Sequence, residues 1–292
     1  MDKVLLITGI FCLALILRRT NVVREKHLLH LVRYVISFSL PCLTLATISS
    51  LDLQKAHFDI AVIAWLVMFT GAAISYGIGK LIRLEGARLR VFILVSTFPN
   101  TALLGYPLSY ALFGATGLSY AVIYDQMGMF PVFLTLGFFI AGGKESIFHC
   151  LKFPPFLALL AALLLNVTGI HFPDSLNTVL GWLGWTTLPL TIFLIGARVR
   201  LDSLREGKAL AACLSVRMVL IPLLLLTVFH FLGKEGLPYR VTLLETAMPP
   251  ALTTSIIALQ FRLDEEFAIA CISAGALLCI LVFTVSYMLF PI

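Results

Sequence analysis

Charge is what this sequence has least of. Only 12% of its 292 residues are Asp, Glu, Lys or Arg, while 60% are hydrophobic and the mean hydropathy is +1.02. Soluble domains carry about 25% charged and about 45–50% apolar residues, so a water-soluble globule is excluded and the chain reads as a polytopic membrane protein. The six cysteines, at positions 12, 42, 150, 213, 271 and 279, form no C-x-x-C pair, which leaves metal and redox chemistry without its usual ligands. No glycine-rich phosphate loop occurs, so an ATP-driven pump lacks its defining element. Nucleophile, base and metal-binding side chains do not cluster at one membrane face, as an embedded enzyme would require. The net charge of +6 is spread over many loops and implies no nucleic-acid partner.

Long apolar runs fill the chain instead. Stretches of about 17–25 apolar residues are the length that crosses a bilayer as a helix. They fall at 3–17, 28–50, 59–80, 90–112, 117–140, 153–170, 175–197, 209–232, 239–260 and 265–290. The first run is short, at about 14 residues. Its basic cluster follows the apolar stretch and no small-residue cleavage site is present, so it is expected to be a retained span rather than a signal peptide. The connections are mostly 5–12 residues long and hold no extramembrane domain. Turn residues mark several, as in "AGGK" at 141–144 and "HFPD" at 171–174.

Basic residues sort the loops into two sets. One set holds Arg18, Arg19, Arg24, Lys26, Arg33, Lys80, Arg83, Arg88, Arg90, Lys144, Lys152, Arg198, Arg200, Arg205, Lys208 and Arg262; the other holds Lys3, Lys55, Lys234 and Arg240. Under the positive-inside rule the first set is cytoplasmic, and both termini of this cell-membrane protein are expected outside the cytoplasm.

The two halves also resemble each other. "SLPCLTL" in span two is similar to "TLPLTIF" in span seven, with Pro41 and Pro189 148 positions apart; Pro99 of "FPNTALLGYPL" and Pro249 of "AMPPALTTS" are 150 apart. Nearly one offset for two proline pairs predicts a duplicated unit of five spans. Five is odd, so the second copy is inverted in the membrane. The expected fold is therefore all-α: ten transmembrane helices as two inverted five-helix repeats, residues 1–145 and 146–292, with helices 4 and 9 broken at their prolines. Inverted repeats with interrupted helices at matching positions point to a secondary transporter.

"NTALLGYPL" in span four, "LPLTIFLIG" in span seven, "RMVLIP" in span eight and "AMPPALTTS" in span nine, in that order, resemble the auxin efflux carrier family. That family includes bacterial permeases for malonate, malate and related organic acids. The resemblance covers the whole chain. It implies a scaffold of spans 1, 2, 6 and 7, a transport domain of spans 3–5 and 8–10, unwound spans 4 and 9 that cross, and a homodimer through the scaffold. One departure is Pro99-Asn100, where relatives often have Gly-Asn.

A crossing of two broken helices has a physical use. Half-helix N-termini carry partial positive charge and free amide donors, against which an anionic carboxylate docks. The expected substrate site is Asn100, Thr101, Gly105 and Pro107 on one arm, and Pro249, Pro250, Thr253 and Thr254 on the other, with Ser255 beside them. Either these polar groups hold ligand, or they merely satisfy backbone freed at two kinks. Arg217, deep in span eight, is either a counter-charge for the substrate or a structural partner of a carboxylate or of carbonyls exposed at a broken helix. Asp125, in "VIYDQMG", is a proton carrier or the partner of Arg217; Glu245, just before the span-nine break, is the other carboxylate for coupling. His27 and His30 sit beside a basic loop as interfacial residues, and Trp65, Trp182 and Trp185 fit membrane packing.

The function expected is transport of a small organic anion, a mono- or dicarboxylate, by alternating access, either as a uniport or coupled to a proton or sodium ion, and with no other cofactor. A sodium-coupled symporter of the bile-acid type is the alternative; a membrane sensor of the same fold or an embedded enzyme stands behind it.

Overall fold

The structure, a computed structural model, describes residues 2–49, 51, 55–143, 153–170, 172–200 and 207–289. Among these the chain is helical, with a single isolated bridge and no strand. The helical stretches are α1 (Asp2–Arg19), α2 (Glu25–Ile48), α3 (Lys55–Leu81), α4 (Gly86–Thr97), α5 (Thr101–Ala141), α6 (Pro154–Thr168), α7 (Asp174–Arg198), α8 (Gly207–Phe231), α9 (Leu237–Thr246), α10 (Leu252–Gln260) and α11 (Glu265–Leu289). Six of them (α2, α3, α5, α7, α8 and α11) are long and apolar enough to cross a membrane by length and composition. The expected boundary between repeats at 145/146 lies outside the described residues, as do Lys144, Cys150, Lys152 and Arg205.

Straight, the 41 residues of α5 would extend about 60 Å, twice the ~30 Å hydrocarbon core. At Gly114, with φ 69° and ψ −160°, the chain takes a conformation open to glycine and doubles back. The Thr101 hydroxyl consequently donates to Asp125, 24 residues on, which a continuous helix would hold about 36 Å away. α5 is thus two antiparallel arms, 101–113 and 115–141.

Four of the prolines inside the apolar helices widen the helix rather than break it, whereas before Pro189 in α7 the helix is interrupted by a plain turn at Thr186. Four π-turns each end two residues before a proline: Val35–Ser39 before Pro41, Thr101–Gly105 before Pro107, Tyr124–Met129 before Pro131, and Val216–Leu220 before Pro222. The proline ring lacks an N–H and crowds the carbonyl four residues back, a cost of about 3 kcal/mol in a regular helix. One extra residue in the preceding turn relieves that crowding. These turns carry Thr101, Asp125 and Arg217.

Two sets of helices pack among themselves. In the first, α1 lies along the second half of α7, where Gly196 is so close that a Cβ would stand 2.6 Å from the Phe11 carbonyl oxygen. α2 packs on α6 and α7, and the Asn166 amide closes the C-terminus of α2 by donating to the carbonyls of Ile48 (2.9 Å) and Leu51 (2.6 Å). Where α2 crosses α7, the Ser39 and Thr187 hydroxyls meet at 2.6 Å. In the second set, α3 packs on α4 and on residues 124–129, the first arm of α5 packs on α9, and α11 packs on α4, α8 and α10. Large side chains such as Phe139, Val167, Trp182 and Phe231 stand exposed, an apolar outer surface of the kind a bilayer covers.

The basic loops share one end of the molecule. Arg18 and Arg198 both reach Glu25, at 2.9 and 3.8 Å, Arg88 pairs with Asp264 at 3.2 Å, and Arg90 donates to the Ala141 carbonyl at 3.3 Å. At the opposite end Lys234 faces Asp59 at 3.8 Å and Lys3 lies over the Tyr110 ring.

Candidate functional site

Two helical paths are interrupted, between α4 and α5 and between α9 and α10, and the gaps pair with each other. Asn100 N–H donates to the Pro249 carbonyl at 2.7 Å, and Ala251 N–H donates to the Phe98 carbonyl at 2.9 Å. The result is a one-pair antiparallel bridge in which Pro99 faces Pro250. That pair falls between the two hydrogen bonds, where no N–H is needed, so prolines fit without loss. Proline also forces its predecessor into extended geometry, as at Phe98 (φ −96°, ψ 116°). Pro99 is therefore accommodated at the crossing. The register differs by one residue from the sequence alignment, since Pro99 meets Pro250 and not Pro249.

Four half-helix ends converge on this bridge. The N-termini of α5 and α10 open onto a cavity of about 110 Å³ that lies between the two packing sets. α2 contributes Val32, Val35, Ile36 and Leu40 to it, and α7 contributes Thr191 and Leu194. Its polar floor is Asn100, Thr101, Asp125, Gln126 and Thr253. The first backbone bonds in α5 run from the amides of Leu104 and Gly105 to the Asn100 carbonyl, so the amides of 101–103 precede the ladder, as at any helix start. The Asn100 side-chain nitrogen and the Gln126 side-chain oxygen are buried with no hydrogen-bond partner. Buried polar groups are nearly always paired, so two orphans lining one cavity mark a place for a ligand with both an acceptor and a donor, or with bridging water.

The C-termini of α4 and α9 meet on the other side of the bridge, and Arg217 joins them. Its two terminal nitrogens donate to the carbonyls of Thr97 and Thr246, the last residue of each helix. Arg217 is fully buried and does not line the cavity. A central membrane arginine costs about 2.5–3.5 kcal/mol; hydrogen bonds to a charged group contribute about 1.5–3 kcal/mol each, so two offset it. Of its sequence alternatives, the geometry has the carbonyls of broken helices.

The two buried acids are held differently. Asp125 accepts from Thr101 Oγ1 through Oδ1, and from Tyr106 Oη (2.7 Å) and Gln126 Nε2 (2.8 Å) through Oδ2. Glu245 accepts from Ser109 Oγ at 2.7 Å, and its other oxygen has no partner. Glu245 lines no part of the cavity; it presses on Gly105, where a Cβ would lie 1.9 Å from Oε2. Gly105→Ala should therefore push this buried carboxylate out of place and cost about 1–3 kcal/mol, read as a lower melting temperature of the purified protein.

Of the residues expected at the site, the cavity gathers Asn100, Thr101, Asp125 and Thr253. Thr254 turns inward, its hydroxyl bonded to the Ala251 carbonyl at 2.6 Å, as Ser255 does to Leu252 at 2.8 Å. Pro249 and Pro250 build the bridge, with Gly275 against their rings. Pro107 lines a separate hollow with Lys3, Tyr110 and Trp185. Gln126 and Thr191 are cavity residues that the sequence reading does not single out. Their signals are adjacency to Asp125 and membership of the repeated "TLPLTIF" motif.

An all-helical membrane protein whose interrupted helices meet over a largely apolar cavity with a few polar groups set in it has the form of a membrane carrier. The chain belongs to the membrane transport protein family, the auxin efflux carriers, whose model matches residues 1–150 and 142–287. An uncharacterized transporter of Methanothermobacter thermautotrophicus is 29% identical over 287 residues, covering 95% of this chain and 94% of that protein. An uncharacterized transporter of Methanocaldococcus jannaschii is 27% identical over 278 residues, or 90% of each chain.

Proposed function

We propose that this transporter is a secondary carrier of a small organic anion, a mono- or dicarboxylate as in the bacterial organic-acid permeases, and that it works by alternating access. The observation that carries the reading is the convergence of the α5 and α10 N-termini on one cavity beside the unpaired Asn100 amide. Each helix start is worth about +0.5 charge, so together they match one carboxylate. The remaining ligand contacts are Thr101 and Thr253.

In this reading ten segments cross the membrane as two inverted repeats. Support comes from Ser39 meeting its repeat equivalent Thr187, since equivalent positions touch near the axis of an inverted pair, and from Pro99 meeting Pro250, one residue from its equivalent. The α1, α2, α6 and α7 set serves as the scaffold, through which two copies pair, and the other set moves. The cavity between them is where relative motion changes access. Asp125 is the coupling group for a proton, since it alone of the two buried acids faces the cavity.

The decisive experiment is uptake of labelled carboxylates into proteoliposomes, with and without sodium. Saturable flux supports the reading; binding without flux would make the protein a sensor. Orientation is checked separately by single cysteines on a cysteine-free background. An impermeant thiol reagent applied outside cells should label position 236 (Gly236→Cys) and spare position 85 (Glu85→Cys). The reverse pattern would overturn the cytoplasmic placement of the basic loops.

A further inference from the structure

We infer that Arg217 is a built-in replacement for a coupling cation at the helix crossing, so that the carrier needs no sodium ion there. The inference rests on the carrier reading only for its consequence; its geometry stands alone. Interrupted membrane helices leave carbonyls at their C-terminal ends, and such ends coordinate sodium in coupled transporters. Here α4 and α9 end side by side, each with a partial charge of about −0.5. One guanidinium supplies the balancing positive charge and bonds the terminal carbonyl of each helix, Thr97 and Thr246.

Several other carbonyls at these ends already have donors, whereas those of Val95 and Ser96 lose theirs because Pro99 has no N–H and the Asn100 N–H goes to Pro249. Phe98 N–H serves Leu94, Ala247 N–H serves Leu243 and Leu244, and Met248 N–H serves Glu245. The Thr246 hydroxyl is taken by Tyr124 at 2.9 Å. Arg217, fully buried, thus sits at the negative pole of the crossing. Its side chain arrives from α8, a third helix, through the π-turn that Pro222 induces. The same side chain ties α4 to α9, so the two broken helices move as one body when access alternates.

The test needs no substrate: melting temperature of purified apo protein in sodium, potassium, choline or low-millimolar guanidinium chloride. Wild-type protein should melt at the same temperature in sodium and potassium. Arg217→Ala should melt about 10 °C lower and recover saturably with guanidinium or sodium, as a ligand of the native state requires, and not with choline. Arg217→Lys, which keeps the charge, should retain most of the stability without any added cation, and Arg217→Met should not. A saturable sodium effect on the wild type would overturn the inference. So would wild-type stability in Arg217→Met, or an Arg217→Ala protein that no small cation restores. If Arg217→Ala does not fold, the wild-type salt comparison and the lysine and methionine variants still decide. Failure here leaves anion transport standing, whereas absence of carboxylate flux in the wild type would sink the carrier reading without touching this result.

Discussion

Asn100→Ala is expected to remove most carboxylate binding while leaving the apo protein as stable as the wild type. The backbone of Asn100 does the structural work at the crossing: its N–H reaches Pro249, and its carbonyl takes the amides of Leu104 and Gly105. None of these bonds involves the side chain. The side-chain nitrogen is buried and unpaired, so deleting it removes an unsatisfied group and costs the empty protein little. A ligand carboxylate that accepts from it gains a hydrogen bond between a charged and a neutral group, worth about 1.5–3 kcal/mol. The mutant should therefore bind more than tenfold more weakly, by calorimetry or thermal shift. Pro107→Ala is the matched control. It alters the same interrupted segment but lines a different hollow, and should leave affinity unchanged. Equal loss in both would mean that the segment acts through its shape and not through the Asn100 amide.

Much of this architecture was legible because membrane burial punishes polar and helix-breaking residues. A proline pair and an amide within an apolar run have few places to go, and Pro99-Asn100 and Pro249-Pro250 do form the interruption. The segregation of arginine and lysine likewise marked loops that meet at one end, as Glu25 shows by touching both Arg18 and Arg198. Three things were out of reach. Pro107 reads as part of the break in span four, but a widened turn absorbs it, as it does Pro41, Pro131 and Pro222, and composition does not distinguish the two outcomes. Thr253 and Thr254 are neighbours, and only the helix phase set by the bridge sends one to the cavity and the other to its own backbone. The partners of Arg217 are main-chain carbonyls 120 and 29 positions away, which carry no side-chain signature.

Asp125→Asn should uncouple binding from pH without abolishing it. In the wild type the carboxylate stands at the start of α5, beside the place where the substrate anion docks. Two unit charges about 5 Å apart at an effective dielectric near 20 repel by about 3 kcal/mol, enough to cancel the contribution of a charged hydrogen bond. A proton on Asp125 removes that repulsion, and the hydrogen-bond pattern shows how the proton is accommodated. Oδ2 keeps the Tyr106 and Gln126 donors, while a protonated Oδ1 donates to Thr101 Oγ1 instead of accepting from it. The Thr101 hydroxyl hydrogen is then free to turn toward the cavity and donate to the incoming carboxylate. One proton is taken up for each anion bound, so wild-type affinity should fall as pH rises, approaching tenfold per unit once Asp125 is ionised in the empty carrier. Asparagine reproduces the protonated arrangement: its amide nitrogen donates to Thr101 and its oxygen accepts from Tyr106 and Gln126. Asp125→Asn should thus bind carboxylate at every pH with wild-type low-pH affinity, yet fail to accumulate it against a gradient. Calorimetry in two buffers of different ionisation enthalpy counts the protons directly, with one expected for the wild type and none for the mutant. A wild-type affinity that does not change with pH would remove Asp125 from coupling and leave its three hydrogen bonds as purely structural support for the crossing.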